Sequence, residues 1–348
     1  DGIEPNWSPT DPNSFYHFGN HASGFKIYKY DVSTNTDTVV ADLTSRITGQ
    51  YPGATSMWTK GEGRPSKDGN IWCMMLTSYD SAAQQNHYYG FIAYNMATDK
   101  IIGHVASTDG DMPDHISTSP LGNYCVPSWG WDAQKGTRAY LLNKNSATDV
   151  ALTTFTQLNE STEHSDLALT ADNREVYVSF YYYHSVFPAQ YAHDDGFIYM
   201  ADLATGTRTH LLSTYAANAT TTSGHISGLS MNKPGYVVVS FEGCSTNYGN
   251  NNCDPTVQWF YKKVVIVSLN PDTTHYACQN GISDCDPNII YNVASDHYSD
   301  EGYFSETQAA VNNDLTKIIF ASAWGSTNGT SSVDVRDYMI DIPAGSLP

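Results

Sequence analysis

Short apolar runs alternate with polar turn clusters from one end of the chain to the other. "NIWCMMLT", "REVYVSF", "GYVVVS" and "TKIIFAS" have the length of strands and the β-branched and aromatic content that strands favour. Asn, Asp, Gly, Pro and Ser cluster between them, and these residues supply turns. No long stretch places apolar residues at i, i+3, i+4 and i+7, so very little helix is expected.

The pattern repeats. "GEGRPSKDGNIWCMML", "PDHISTSPLGNYCVPS", "EHSDLALTADNREVYVS", "GHISGLSMNKPGYVVVS" and "SETQAAVNNDLTKIIFAS" each give a polar lead, a short strand, a turn and a second strand. A third strand and a tight turn follow most of them, with turn cores "DVSTNT", "NMATDK" and "DLATGT". The unit is about four short antiparallel strands in roughly 50 residues, which is a blade of a β-propeller. Six units are countable. The long interval between His225 and Gln308 leaves room for a seventh, as does closure between the termini. The expectation is an all-β chain, residues 1–348 forming one propeller domain, with seven four-stranded blades.

In a propeller, equivalent positions on the first strand of each blade converge on a central channel. The leads, placed at or just before those strands, supply Glu4 and Asn6, Glu62 and Arg64, Asp114 and His115, His164 and Asp166, His225, and Glu306 and Gln308. Three histidines stand in comparable register. The bland alternative is a water-filled channel lined with polar side chains. Titratable groups gathered at one mouth are also what a catalytic site requires.

Charge narrows the partners. Lys and Arg number 17 against 36 Asp and Glu, a net of −19. Nucleic acid is excluded, since binding it needs clustered cations. No apolar run is long enough to span a bilayer, so no membrane partner is expected. "CSTNYGNNNC" and "CQNGISDC" look like local disulfide loops of a secreted protein, and Asn6, Asn159, Asn218 and Asn328 begin glycosylation sequons. Cys73 and Cys125 sit in apolar strands, either paired or as buried thiols. A monomer is expected.

The candidate chemistry follows from residue types. There is no G-x-S-x-G, no H-E-x-x-H and no phosphate loop. Three imidazoles can in principle bind zinc, and the identity of any metal is open. No cofactor is required, and a structural Ca²⁺ suits the channel carboxylates. A histidine cluster with a guanidinium suits β-elimination from a uronic acid. A cation or donor such as Arg64 or Gln308 neutralises the carboxylate, a histidine removes the C5 proton, and an acid protonates the leaving oxygen. His115, His164, His225 and Arg64 are the catalytic candidates. Gln308, Glu306, Asp114, Asp166 and Tyr183, the last within "FYYYHSVFPAQYAH", are the substrate-binding candidates. Asp114, Asp166 and Glu306 keep glycoside hydrolysis open, which needs two carboxylates. A non-catalytic sugar- or protein-binding propeller is the third reading.

"EPNWSPTDPNSFYH", "EHSDLAL", "GHISGL" and "SETQAAVNNDLTKIIFASAWG" resemble first-strand motifs of secreted propellers related to oligogalacturonate lyases. The resemblance implies seven blades, a site at the channel mouth, and β-elimination with histidine as base or acid and an arginine near the carboxylate. Oligogalacturonate lyases carry a Q-x-x-H-x-H run for their metal, whereas Gln308 is followed here by "AAVNN". That departure points away from pectin and from Mn²⁺. Among such lyases the chain is most similar in kind to those acting on rhamnose–glucuronate linkages. The expected function is therefore a secreted lyase acting on an acidic glycan.

Overall fold

The computed structural model describes residues 5–19, 24–107, 110–130, 135–160, 163–181, 196–214, 222–243, 260–270, 290–297, 306–322, 324 and 335–347. The chain divides into two compact units, residues 1–162 and 163–348.

Unit 1 holds three four-stranded antiparallel meanders. The first is β1 (Asn6–Trp7), β2 (Ser14–His17), β3 (Lys26–Asp31) and β4 (Thr36–Asp42). One short helix, α1 (Thr44–Gln50), leads to β5 (Ser56–Trp58), β6 (Ile71–Asp80), β7 (Gln85–Asn95) and β8 (Lys100–Ala106). The third sheet is β9 (His115–Thr118), β10 (Tyr124–Ser128), β11 (Thr137–Leu141) and β12 (Thr156–Asn159).

Unit 2 repeats the plan. Its first sheet is β13 (Ser165–Leu169), β14 (Glu175–Tyr181), β15 (Phe197–Asp202) and β16 (Arg208–Ser213). The next is β17 (Ser223–Ser227), β18 (Tyr236–Gly243), β19 (Lys263–Ser268) and β20 (Ile290–Ser295). The last has three strands among the described residues, β21 (Ala310–Val311), β22 (Lys317–Ser322) and β23 (Arg336–Asp341).

The period-2 geometry of a strand explains why so many runs are continuously apolar. Along β6, Trp72, Met74 and Leu76 enter one core with Tyr16, Phe18 and Ile27 of the first sheet. The intervening Ile71, Cys73 and Met75 enter another with Ile116, Cys125 and Tyr140 of the third. Both faces of the blade are buried, so both residue sets must be apolar. β19 does the same in unit 2. Val265 and Val267 pack with Val176, Val178 and Phe180, while Val264 and Ile266 pack with Ile318 and Phe320. Each such side chain, fully buried, contributes about 1.5–3 kcal/mol.

Turns recur with the same chemistry. Asp31 Oδ1 accepts hydrogen bonds from the Ser33 and Thr34 amides, Asp80 Oδ1 from Ala82 and Ala83, and Asp202 Oδ1 from Ala204 and Thr205. An aspartate that caps its own turn in this way closes the hairpin after a strand.

Four expectations need correction or completion. The seventh blade is not found, and the described residues form six sheets. The long interval after His225 is one sheet, β17 to β20, with long connections between β18 and β19 and between β19 and β20. Both outer cysteine loops fall in those connections, outside the described residues. In the second sheet the lead is also out of register. Glu62 and Arg64 follow the first strand, β5, instead of preceding it, because Pro65 and the turn at Lys60 and Gly61 do not continue a strand. Cys73 and Cys125 form a disulfide with Cα atoms 5.6 Å apart, joining β6 to β10. Asn159 is completely buried with its side-chain nitrogen shielded from solvent, and Asn6 is largely buried. Asn218 and Asn328 lie outside the described residues. Among the described residues no helix is long and apolar enough to cross a membrane.

Candidate functional site

Two of the three histidines come together in unit 2. His164 stands immediately before β13 and His225 is the third residue of β17. Their rings stack with centroids 4.2 Å apart and planes 19° from parallel.

The local sequence explains the approach. The register of β17 against β18 shifts between Ser223 and Gly224. Gly224 lies so close to β18 that a Cβ there would sit 2.0 Å from the Ser240 carbonyl oxygen. Only glycine fits that close approach. Its carbonyl oxygen accepts a hydrogen bond from His164 Nδ1 at 2.7 Å. A carbonyl can only accept, so Nδ1 carries the proton, and in the neutral ring Nε2 holds the lone pair.

His225 is held by carboxylates. Its Nε2 is 3.0 Å from Glu306 Oε2 and 3.4 Å from Glu242 Oε1. Glu242, the penultimate residue of β18, also accepts from Ser223 Oγ at 2.5 Å. Glu306 is delivered by the lead of the last sheet. Ser240 Oγ donates to the Thr307 carbonyl oxygen and receives the Ala309 amide, which ties that lead to β18.

The environment splits the pair. Burial, and then the charge of His225, push the His164 imidazole below its usual value. Burial would lower His225 as well, but the hydrogen bonds of Glu242 and Glu306 outweigh it and raise His225 to about 9. Burial alone lifts Glu163, next in sequence to His164, to about 7. For Glu242, the contacts with His225 and Ser223 outweigh burial and hold the carboxyl below its usual range.

The other candidates are placed as follows. Asp166 accepts hydrogen bonds from the Leu167 amide and, at 2.7 Å, from the Gly228 amide, so its carboxylate fastens β13 to the chain leaving β17. Gln308 is exposed, two residues beyond Glu306. His115, Asp114 and Arg64 belong to unit 1. There His115 Nδ1 lies 3.2 Å from Glu62 Oε2 and 3.7 Å from Asp114 Oδ2, and Lys60 Nζ lies 2.9 Å from Asp114 Oδ1. The His115 ring and the Lys60 ammonium outweigh burial and hold the Asp114 carboxyl well below the usual carboxylate range. Arg64 is positioned by its backbone, its amide donating to Ser117 Oγ and its carbonyl accepting from Thr118. Tyr183 lies outside the described residues.

Sequence reasoning missed Glu242 and Glu163. Glu163 adjoins the singled-out His164, and that adjacency was a usable signal. Glu242 closes an apolar run and reads as a strand terminus, and no signal in the sequence marks it.

No protein-family model matches the chain, and no curated protein sequence matches it. Solved structures do. An oligogalacturonate lyase in complex with manganese aligns over 98% of this chain and 77% of its own, with a TM-score of 0.53 at 13% identity. The oligogalacturonate lyase of Vibrio parahaemolyticus aligns over 99% and 79%, again with a TM-score of 0.53 at 13% identity. A hydrazine synthase from Kuenenia stuttgartiensis aligns over 94% and 79%, with a TM-score of 0.48 at 9% identity. The chain has the β-propeller fold. At such identity the likeness is one of fold and carries no activity with it.

Proposed function

We propose that the chain is a secreted polysaccharide lyase that cleaves a glucuronate-containing glycan by β-elimination, at rhamnose–glucuronate linkages. The observation that carries this reading is the split pair: a neutral His164 with its lone pair on Nε2 stacked on a protonated His225.

The pair supplies a base and an acid at neutral pH. The C5–H bond breaks and its proton goes to His164 Nε2. The electron pair forms the C4–C5 double bond as the C4–O bond breaks. The departing oxygen takes a proton from the His225 imidazolium. The exposed Gln308 amide is the donor for the substrate carboxylate in this unit.

Ring stereochemistry supports glucuronate. There the C5 hydrogen and the C4 oxygen lie on one face of the sugar, whereas in galacturonate they lie on opposite faces. A base and an acid on rings stacked 4.2 Å apart suit a reaction on one face.

One of the similar lyases was solved with manganese. The donor atoms of His164, His225 and Glu242 lie within 4.8 Å of one another. His225 Nε2, however, already holds its proton toward Glu306 and Glu242, and a cation would have to displace it. His164, His225 and Glu242 do not fit a resident metal as they stand. Secretion is supported by the Cys73–Cys125 disulfide.

A second reading, glycoside hydrolysis, is favoured by one observation. Glu163 is raised to about 7 while Glu242 is lowered, the separation an acid and its partner carboxylate need.

Incubation with gum arabic, ulvan and polygalacturonate separates the readings. Ultraviolet absorbance of an unsaturated uronate from gum arabic supports the lyase. New reducing ends without that absorbance support hydrolysis. No product from any of the three overturns both.

A further inference from the structure

Unit 1 carries a separate cluster that owes nothing to the histidine pair. After β5 the backbone turns through Lys60 (φ 63°) and Gly61 (φ 88°). The chain then runs beside β9. Ile116 donates its amide to the Thr59 carbonyl oxygen at 3.2 Å, and Gly63 presses so close that a Cβ there would lie 1.8 Å from the Ile116 oxygen. This close run lays the Glu62 carboxylate over His115.

His115 is nine-tenths buried. Its Nδ1 atom is shielded from solvent and makes no hydrogen bond, although Glu62 Oε2 is 3.2 Å away and Asp114 Oδ2 3.7 Å away. At those distances the oxygens stand out of line with the ring nitrogen. A buried nitrogen facing two carboxylates without a hydrogen bond is a ligand arrangement more than an ion pair.

The spacing fits. Tetrahedral ligands at about 2.1 Å from a zinc-sized ion stand about 3.4 Å from one another. The observed 3.2 and 3.7 Å bracket that value, and all three donor atoms lie within 4.8 Å of one another. Glu62 is exposed and able to adjust. The Lys60 ammonium contacts the other Asp114 oxygen, Oδ1, at 2.9 Å, and so orients that carboxylate from behind. The two carboxylates and Lys60 leave a net charge of −1 for a cation to meet. A nitrogen donor favours a first-row transition ion over calcium.

We propose that His115 Nδ1, Glu62 and Asp114 form a binding site for a first-row divalent cation of the zinc class, with a coordination position open to solvent. The ion would clip the β5–β6 connection to β9.

The test titrates Zn²⁺ calorimetrically into the chelator-stripped full chain, into Glu62→Gln and into Asp114→Asn. Near-ultraviolet circular dichroism verifies that each variant is folded, and Glu62→Gln alters an exposed side chain. The expected result is one Zn²⁺ equivalent in the parent that weakens at least tenfold in each variant. A Zn²⁺-dependent rise in melting temperature should disappear with it. Identical isotherms for parent and variants, or no binding by the parent, would overturn the site.

Discussion

The imidazoles of His164 and His225 lie face to face at 4.2 Å, yet their neighbours drive them to opposite protonation states. One ring donates to a backbone carbonyl and is kept neutral by burial. The other sits between two carboxylates and keeps its proton. Two stacked imidazolium rings would repel each other, so the charge on His225 itself helps hold His164 neutral.

The rate of uronate elimination is expected to fall off below pH 6.5, where His164 takes up its proton, and again above about pH 9, where His225 loses its own. Glu242→Gln removes one of the two carboxylates that raise His225. It should move the alkaline limb down by roughly one pH unit. A pH–rate profile measures both limbs, and an alkaline limb that does not move in the variant would detach His225 from the rate.

His164→Ala and His225→Ala should each lower kcat by roughly 10²–10⁴-fold with KM little changed, as expected for groups that transfer protons in the transition state. Gln308→Ala should instead raise KM. Steady-state kinetics on the substrate identified above decide the matter, and full activity in both histidine variants would mean the site lies elsewhere.

Stability should also depend on pH through His225. Its folded value, about 9, lies above the ordinary 6.5. Its contribution is therefore fully present below pH 6.5 and is lost as pH rises through 9, an effect on the order of 1–3 kcal/mol. Urea unfolding at pH 6, 8 and 10 should show this loss in the parent and a flatter profile in His225→Gln.

Replacing Cys73 and Cys125 together by serine opens a loop spanning 52 residues. Chain entropy alone puts the cost at about 4 kcal/mol. Denaturant midpoints of the double variant should fall below that of the parent, and reductant should lower the parent's midpoint at least as far. A midpoint unchanged by either treatment would show that the pair is not bonded in solution.

Much of this was legible from periodicity. His164 and His225 stood out because each begins a consecutive repeat, and consecutive sheets bring such positions side by side. Their partner Glu242 did not. It is the extra residue of β18 opposite the Ser223–Gly224 step, and spacing along the chain does not reveal a bulge. The seventh blade was overcounted for a related reason. Distance in sequence between His225 and Gln308 cannot distinguish an extra sheet from two long connections inside one. Glu62 was placed at a strand entrance because its polar lead looked like the others. Backbone turns at Lys60 and Gly61 put it instead beside the next sheet, against His115.

The bond from His164 Nδ1 to the Gly224 carbonyl chooses the tautomer of the imidazole, and it also rivets β13 to β17. Asp166 and Gly228 supply a second rivet a few residues along. His164 is thus part of the frame that aims its own ring. Trading His164 for a side chain that keeps the donor but lacks the lone pair, such as asparagine, would leave the frame closed and the chemistry silent. If the proposed elimination holds, a chain so altered should bind its glycan without cutting it.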